Sequence, residues 1–118
     1  MPNRLSSDPE LIQSIIDKCE LCYLGMADHK GQPYVLPFNF GYEEGVLYLH
    51  SAPAGKKMDI LKDNPKVCAA FSTDHQLFHR HEPVACSYGM KYRSVLLHGA
   101  IEFIEDYDEK VRVLNIIM

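Results

Sequence analysis

Apolar positions near the start of the chain recur with a helical period. Leu11, Ile12, Ile15, Ile16 and Cys19 fall at spacings of three and four, which places them on one face of an α-helix. Just upstream, Ser7 and Glu10 bracket Pro9 in the form of a capping box with proline in the first turn. A helix is therefore predicted from Asp8 to Cys19. The period then changes to two. Tyr23–Ala27 predicts a strand, and Asp28–Gly31 its turn. In Tyr34–Phe40, Tyr34, Leu36, Phe38 and Phe40 share one face while Val35, Pro37 and Asn39 share the other. Pro37 inside that run predicts an edge strand, a bulge or an interrupted ladder. A second turn at Tyr42–Gly45 leads to a strand over Val46–His50.

The second half continues the pattern. Lys56–Lys62 predicts a short helix, stopped by Pro65, and Lys66–Ser72 a fourth strand. Thr73–Pro83 is polar and rich in histidine, and predicts a loop. Val84–Tyr88 and Tyr92–Ile104 predict two more strands, with a bend at Gly99. Asp106–Glu109 opens a last helix whose Val111, Leu114 and Ile117 share a face. Six short strands joined largely by tight turns point to a mainly β domain with flanking helices, a small antiparallel barrel rather than a parallel sheet. Met118 closes an apolar helical run without a C-cap. The natural chain is therefore expected to continue past it.

Composition narrows the class. The 118 residues suit one domain, 47% hydrophobic residues suit a packed core, and there is no apolar run of membrane-spanning length. No secretory signal opens the chain, so a cytoplasmic protein is expected. A net charge of −4 argues against nucleic acid as partner. Any anion would need a local cluster of cations. Cys19 and Cys22 form a CxxC, but Cys68 and Cys86 stand alone. The second half of a structural zinc site is missing, which favours small buried thiols in a reducing compartment. His75, His79, His81 and Glu82 are residue types that bind transition metals, and His75 and His79 would share a face if the segment were helical. Its composition favours a loop, so no metal is expected.

The clearest chemistry lies in "YLHSAPAGKK", residues 48–57. A strand ends at His50 and Ser51, a Pro/Gly turn follows, and Lys56 and Lys57 open a helix. A helix N-terminus presents free N–H groups and a partial positive charge, and a glycine before it lets a ligand approach the backbone. That combination suits a phosphate, although a solvated surface turn is the plainer reading. Arg93 and Ser94 in "KYRSV" offer a second cation and hydroxyl. GxGxxG and GxxxxGK[ST] loops are both absent.

In their order and spacing, "YLGMADHKGQPYVLPFNFGYEEGVLYLHSAPAGKKMDILKDNPKVCAAF" and "CSYGMKYRSVLLHGAIEFIED" resemble the FMN-binding split-barrel family related to pyridoxamine 5′-phosphate oxidase, within it most of all the nitroimidazole-resistance type. The resemblance implies a six-stranded split β-barrel acting as a homodimer. It implies FMN, with FAD as the alternative, and reduction of small nitroaromatics such as 5-nitroimidazoles. It places the flavin phosphate at Lys56, Lys57, Arg93 and Ser94. The ring would lie along Leu36, Pro37, Phe38 and Asn39, and the ribityl chain beside His50 and Ser51, with His50 the candidate proton donor. Family members usually extend past the equivalent of Met118. A non-catalytic flavin-binding protein and a haem- or small-molecule-binding barrel with a histidine ligand remain the alternative readings.

Overall fold

A computed structural model describes the backbone of residues 6–79 and 88–118 and the side chains of 6–75 and 93–118. The predicted strand start at residues 84–87, Cys86, His81 and Glu82, and the side chain of His79, lie outside the described residues.

The chain runs α1 (Pro9–Asp17), β1 (Cys22–Ala27), β2 (Pro33–Phe38), β3 (Phe40–Glu43), β4 (Val46–Leu49), α2 (Lys56–Asp63), β5 (Lys66–His79), β6 (Tyr88–Ala100) and α3 (Tyr107–Ile117). Four strands form one sheet in the order β2-β1-β5-β6, β3 and β4 form a second, and every pairing is antiparallel. The fold is the mainly β split barrel that the hydrophobic pattern and resemblance predict.

Several elements differ in detail. The cap of α1 is Asp8 rather than Ser7, its carboxylate accepting the Glu10 N–H at 3.1 Å. The predicted strand Tyr34–Phe40 breaks at Asn39, and its two parts join different sheets. Pro37, which has no N–H to give a ladder, sits on the edge strand β2 opposite Tyr23. The predicted polar loop over Thr73–Pro83 is instead strand as far as His79, paired along β6. Ladder bonds are made by the backbone, so a polar stretch pairs as well as an apolar one when its partner is fixed. Irregularity is confined to a register shift between Thr73 and Gln76, where Asp74 takes a φ of 55°. Because 75–79 is strand, the helical spacing that would set His75 beside His79 does not exist. Strand β6 runs straight through Gly99, which pairs with Val67, and ends at Ala100 rather than Ile104.

The core lies between α1 and the inner face of the larger sheet. Ile16, Cys22, Leu24 and Phe71 are its largest fully enclosed side chains. Phe40 brings the second sheet into the same core, meeting Phe71 edge to face with ring centres 5.0 Å apart. Period-two patterning puts the intervening residues on the outer face of the sheet, where Tyr23, Val35 and Leu96 are exposed.

Candidate functional site

The break at Asn39 builds a cleft. Where β2 leaves the large sheet, Leu36, Pro37, Phe38 and Asn39 line one wall of a pocket of about 460 Å³. His50, the first residue after β4, and Lys57, in the first turn of α2, line it as well. The remaining wall is Leu114, Ile117 and Met118 of the C-terminal helix region. The lining is mostly apolar, with a single cation. A pocket of this volume and character suits a flat, drug-sized molecule bearing an anionic group.

Helix α2 carries the polar end of the site. Asp8 and Asp106 cap α1 and α3 with their side chains, whereas the N-cap of α2 is Gly55 and has no side-chain cap. Gly55 sits at φ 119°, a conformation that residues with a Cβ rarely adopt. Its carbonyl receives the N–H groups of Met58 and Asp59, both at 3.1 Å. Among the described residues nothing accepts from the amides of Lys56 or Lys57, which leaves two donors and the positive helix end open.

The two lysines diverge, as neighbours on a helix do. Lys57 Nζ stands 5.8 Å from the centre of the Phe38 ring, in the pocket. Lys56 Nζ lies over Tyr34 at 4.8 Å and borders a separate shallow depression with Asp28, His29 and Asp63. Ser51 is half-buried and donates its hydroxyl to the Ala52 carbonyl at 3.1 Å, so it does not line the pocket. Arg93 and Ser94 are also elsewhere. Arg93 Nε is 3.7 Å from Asp74, which Lys18 engages at 3.1 Å, and Ser94 is exposed opposite Ser72. Grouping Arg93 and Ser94 with Lys57 in one phosphate site is thus not realised within a single chain. The structure brings together Leu36, Pro37, Phe38, Asn39, His50 and Lys57.

Sequence reasoning missed the helical wall. The stripe Val111, Leu114 and Ile117 was visible, but not the surface it meets. One signal was available in Gly41. A Cβ there would come within 2.7 Å of Ile116 Cγ2 and 3.0 Å of two backbone atoms of α3. The missing side chain is what lets α3 close against β3 and reach the pocket. One turn earlier on the same face of the helix, Arg112 donates to Tyr48 Oη at 3.2 Å, Tyr48 being the strand partner of Gly41, and to Glu109. This pairing lowers the carboxyl pKa of Glu109.

Beyond the pocket, His29 ties the β1–β2 turn to the end of α2. Its backbone N–H donates to Asp63 Oδ2 at 2.8 Å, and its ring meets the same oxygen at 2.5 Å. That contact raises the pKa of His29 and lowers that of Asp63. Cys22 is enclosed, and burial pushes its thiol up to about 11. Among the described residues, no three metal-ligating side chains converge. No described helix is long and apolar enough to cross a membrane.

A split barrel with a cleft where the two sheets part defines the class of protein. The pyridoxamine 5′-phosphate oxidase family model matches residues 8–118, and the chain belongs to that family. Among solved structures, it is 45% identical to a candidate 5-nitroimidazole antibiotic resistance protein of Bacteroides thetaiotaomicron, with a TM-score of 0.84, covering 97% of this chain and 66% of that one. It is 28% identical to the flavocytochrome Anf3 of Azotobacter vinelandii, with a TM-score of 0.80, over 93% of this chain and 50% of that one. An FAD and haem binding protein of Mycobacterium smegmatis shares the fold at 20% identity and a TM-score of 0.78, over 94% and 53%. The chain thus spans between half and two thirds of the length of these proteins. No curated protein sequence matches it.

Proposed function

We propose that the chain forms a flavin-binding oxidoreductase, that its flavin is FMN rather than FAD, and that it reduces small nitroaromatics of the 5-nitroimidazole class. The observation that carries this reading is the apolar pocket closed at one end by Lys57 and the uncapped start of α2. The residues present fit the cofactor. Leu36, Pro37 and Phe38 offer an apolar wall for a ring system, and Asn39 and His50 offer polar groups at its edge. Lys57 and the free amides offer charge-assisted donors to a phosphate. FMN supplies the electron transfer when bound; the protein binds and orients it. His50 is the residue of this pocket suited to give a proton to a substrate taking up electrons. The 45% identity to a candidate 5-nitroimidazole resistance protein supports the substrate class.

The working unit in this reading is a homodimer, formed through the outer face of the larger sheet. Tyr23 at 53%, Val35 at 61% and Leu96 at 61% exposure are too large and apolar to be left to solvent together without a partner. Ser94 stands on that face in register with Ser72, two residues from Leu96. A second copy docked on that face would bring Ser94 towards a phosphate that its own chain cannot offer it, whereas Arg93 alternates to the other face, with Val95.

The test is an FMN titration followed by flavin fluorescence, preceded by mass identification of whatever cofactor co-purifies. Lys57→Ala is expected to weaken FMN about ten- to a hundred-fold, the loss of one charge-assisted contact. Lys56→Ala, a control on the diverging side chain, is expected to matter less. Equal affinity in wild type and Lys57→Ala would remove the phosphate from this pocket. A Soret band in the isolated protein would replace flavin by haem.

A further inference from the structure

The flavin reading uses only part of the pocket. It lays the ring along the β2 wall and the phosphate at Lys57, which leaves the wall of Leu114, Ile117 and Met118 without a role. Leu114 and Ile117 are half-buried, lie one helical turn apart and carry no polar side-chain atom. Between them in sequence is Ile116, which packs on Gly41, where no Cβ holds the helix away from β3. One turn earlier, Arg112 meets Tyr48 of β4 in two ways. It donates to the hydroxyl at 3.2 Å, and its guanidinium carbon is 5.6 Å from the ring centre. Glu109 accepts from the same guanidinium. This wall is therefore seated on the second sheet, whereas the wall of Leu36, Pro37 and Phe38 belongs to the larger one.

We propose that Leu114 and Ile117 determine which substrate this site accepts, and that they favour a thin, uncharged aromatic ring. The inference rests on the flavin reading above and adds to it the surface against which the substrate lies. A molecule that takes electrons from a flavin has to lie against the ring. The β2 wall covers one face of that ring, so the substrate occupies the side of α3. A wall seated on a sheet sets a gap of fixed width, which admits a flat ring and resists a thicker one. Its apolar side chains also reject charge, because a charged group pressed against Leu114 and Ile117 would lose its hydration without gaining a partner. Among the described residues, the hydrogen-bonding side chains of the lining are Asn39, His50 and Lys57. With Lys57 engaged by phosphate, the polar atoms of a substrate must lie in its ring plane, at the edge where Asn39 and His50 stand. A neutral heteroaromatic with an in-plane nitro group meets these demands. A nitroaromatic with a bulky or anionic substituent does not.

The experiment uses the full chain loaded with saturating FMN. With the flavin oxidised nothing turns over, so binding of a neutral 5-nitroimidazole is an equilibrium that calorimetry reads. Leu114→Ala and Ile117→Ala should each weaken it about tenfold or more, as the loss of an apolar contact in a pocket does. FMN affinity, titrated separately, should change less than about threefold, because a truncated side chain leaves the helix in place. A kinetic readout follows reoxidation of photoreduced flavin by the 5-nitroimidazole and by a nitroaromatic with a bulky side chain. The ratio of the two rates should shift about tenfold or more towards the bulky compound, since the widened gap admits it. Leu114→Met, of similar volume, should restore the wild-type ratio. Val111→Ala, on the same helix but outside the pocket lining, should leave binding and ratio unchanged. Unchanged binding in both alanine variants, or a loss shared equally by both substrates, overturns the proposal. Where a truncation unfolds the chain, Leu114→Phe gives the reverse test: it narrows the gap and should move the ratio away from the bulky compound, and an unmoved ratio overturns the proposal as well. A wild-type chain that takes up no FMN overturns the flavin reading and this inference with it. Bound FMN with unselective variants overturns this inference alone.

Discussion

Gly41→Ala tests whether the C-terminal helix is part of the site. Gly41 is not among the glycines at positive φ, so an alanine meets no backbone strain there. In open space such a change would stabilise the fold by roughly 0.4–1 kcal/mol, because it restricts the unfolded chain. At Gly41 the sign reverses. The new methyl would lie 2.7 Å from Ile116 Cγ2, which can swing aside, but also 3.0 Å from Ile116 C and Ile117 N, which cannot move without the helix. Overpacking that displaces backbone costs about 1–3 kcal/mol. For a domain of this size that corresponds to a fall in Tm of roughly 3–15 °C. The displaced element is α3, which also supplies Leu114 and Ile117 to the pocket. Ligand affinity should therefore fall together with stability. The assay is chemical denaturation of wild type and Gly41→Ala in parallel with FMN titration. Gly45→Ala is the control, since that position has open space but a φ of 79°, and its cost should appear in stability without touching the pocket. A Gly41→Ala protein as stable as wild type, or one destabilised with unaltered ligand affinity, would refute the idea that α3 closes the site through this contact.

Other outcomes follow from the same structure. His50→Gln in flavin-loaded protein should slow oxidation by a nitroaromatic about 10²-fold while leaving flavin affinity nearly intact, and equal rates would take His50 out of the chemistry. The His29–Asp63 tie should be pH-dependent in a defined direction. The raised pKa of His29 means that its contribution is complete below the ordinary histidine pKa and is lost as pH rises through the raised value. The lowered pKa of Asp63 means that its contribution is present above the ordinary carboxylate range and lost as pH falls through the lowered value. The tie is therefore strongest between those limits, and Asp63→Asn should lower the His29 pKa measured by NMR titration; an unchanged value would show that the contact does not persist in solution. Alkylation of the native protein should spare Cys22, enclosed and with its thiol pushed up to about 11, and label it only after unfolding. Labelling of Cys22 at the rate of Cys68 would contradict its burial.

The positions of the elements were legible because each rests on local chemistry. The helical spacing of Ile12, Ile15 and Ile16 and the alternation of Leu36 and Phe38 against Val35 and Pro37 record which face is buried, and these periods survive whatever the partner is. Lys57 after Gly55 was legible for the same reason, since a glycine and a cation at a helix start are a local feature. The family resemblance supplied the rest of the expected site. Length of pairing was not legible: residues 73–79 read as a polar loop, yet they are strand because β6 holds out a backbone ladder to them, and backbone bonds carry no side-chain signature. Nor was the break at Asn39 placed, because a change of sheet alters neither the period nor the composition of the strand crossing it. The wall made by Leu114 and Ile117 belongs to the same class. An apolar stripe states that it will be covered, but only the packing of α3 on Gly41 decides by what. The separation of Arg93 from Lys57 is likewise a consequence of pairing register: Arg93 lies opposite Thr73, beside Asp74, because Val95 must face the core against Phe71. Short-range periodicity thus tells each residue which side it faces, and long-range packing alone tells it which residues it meets.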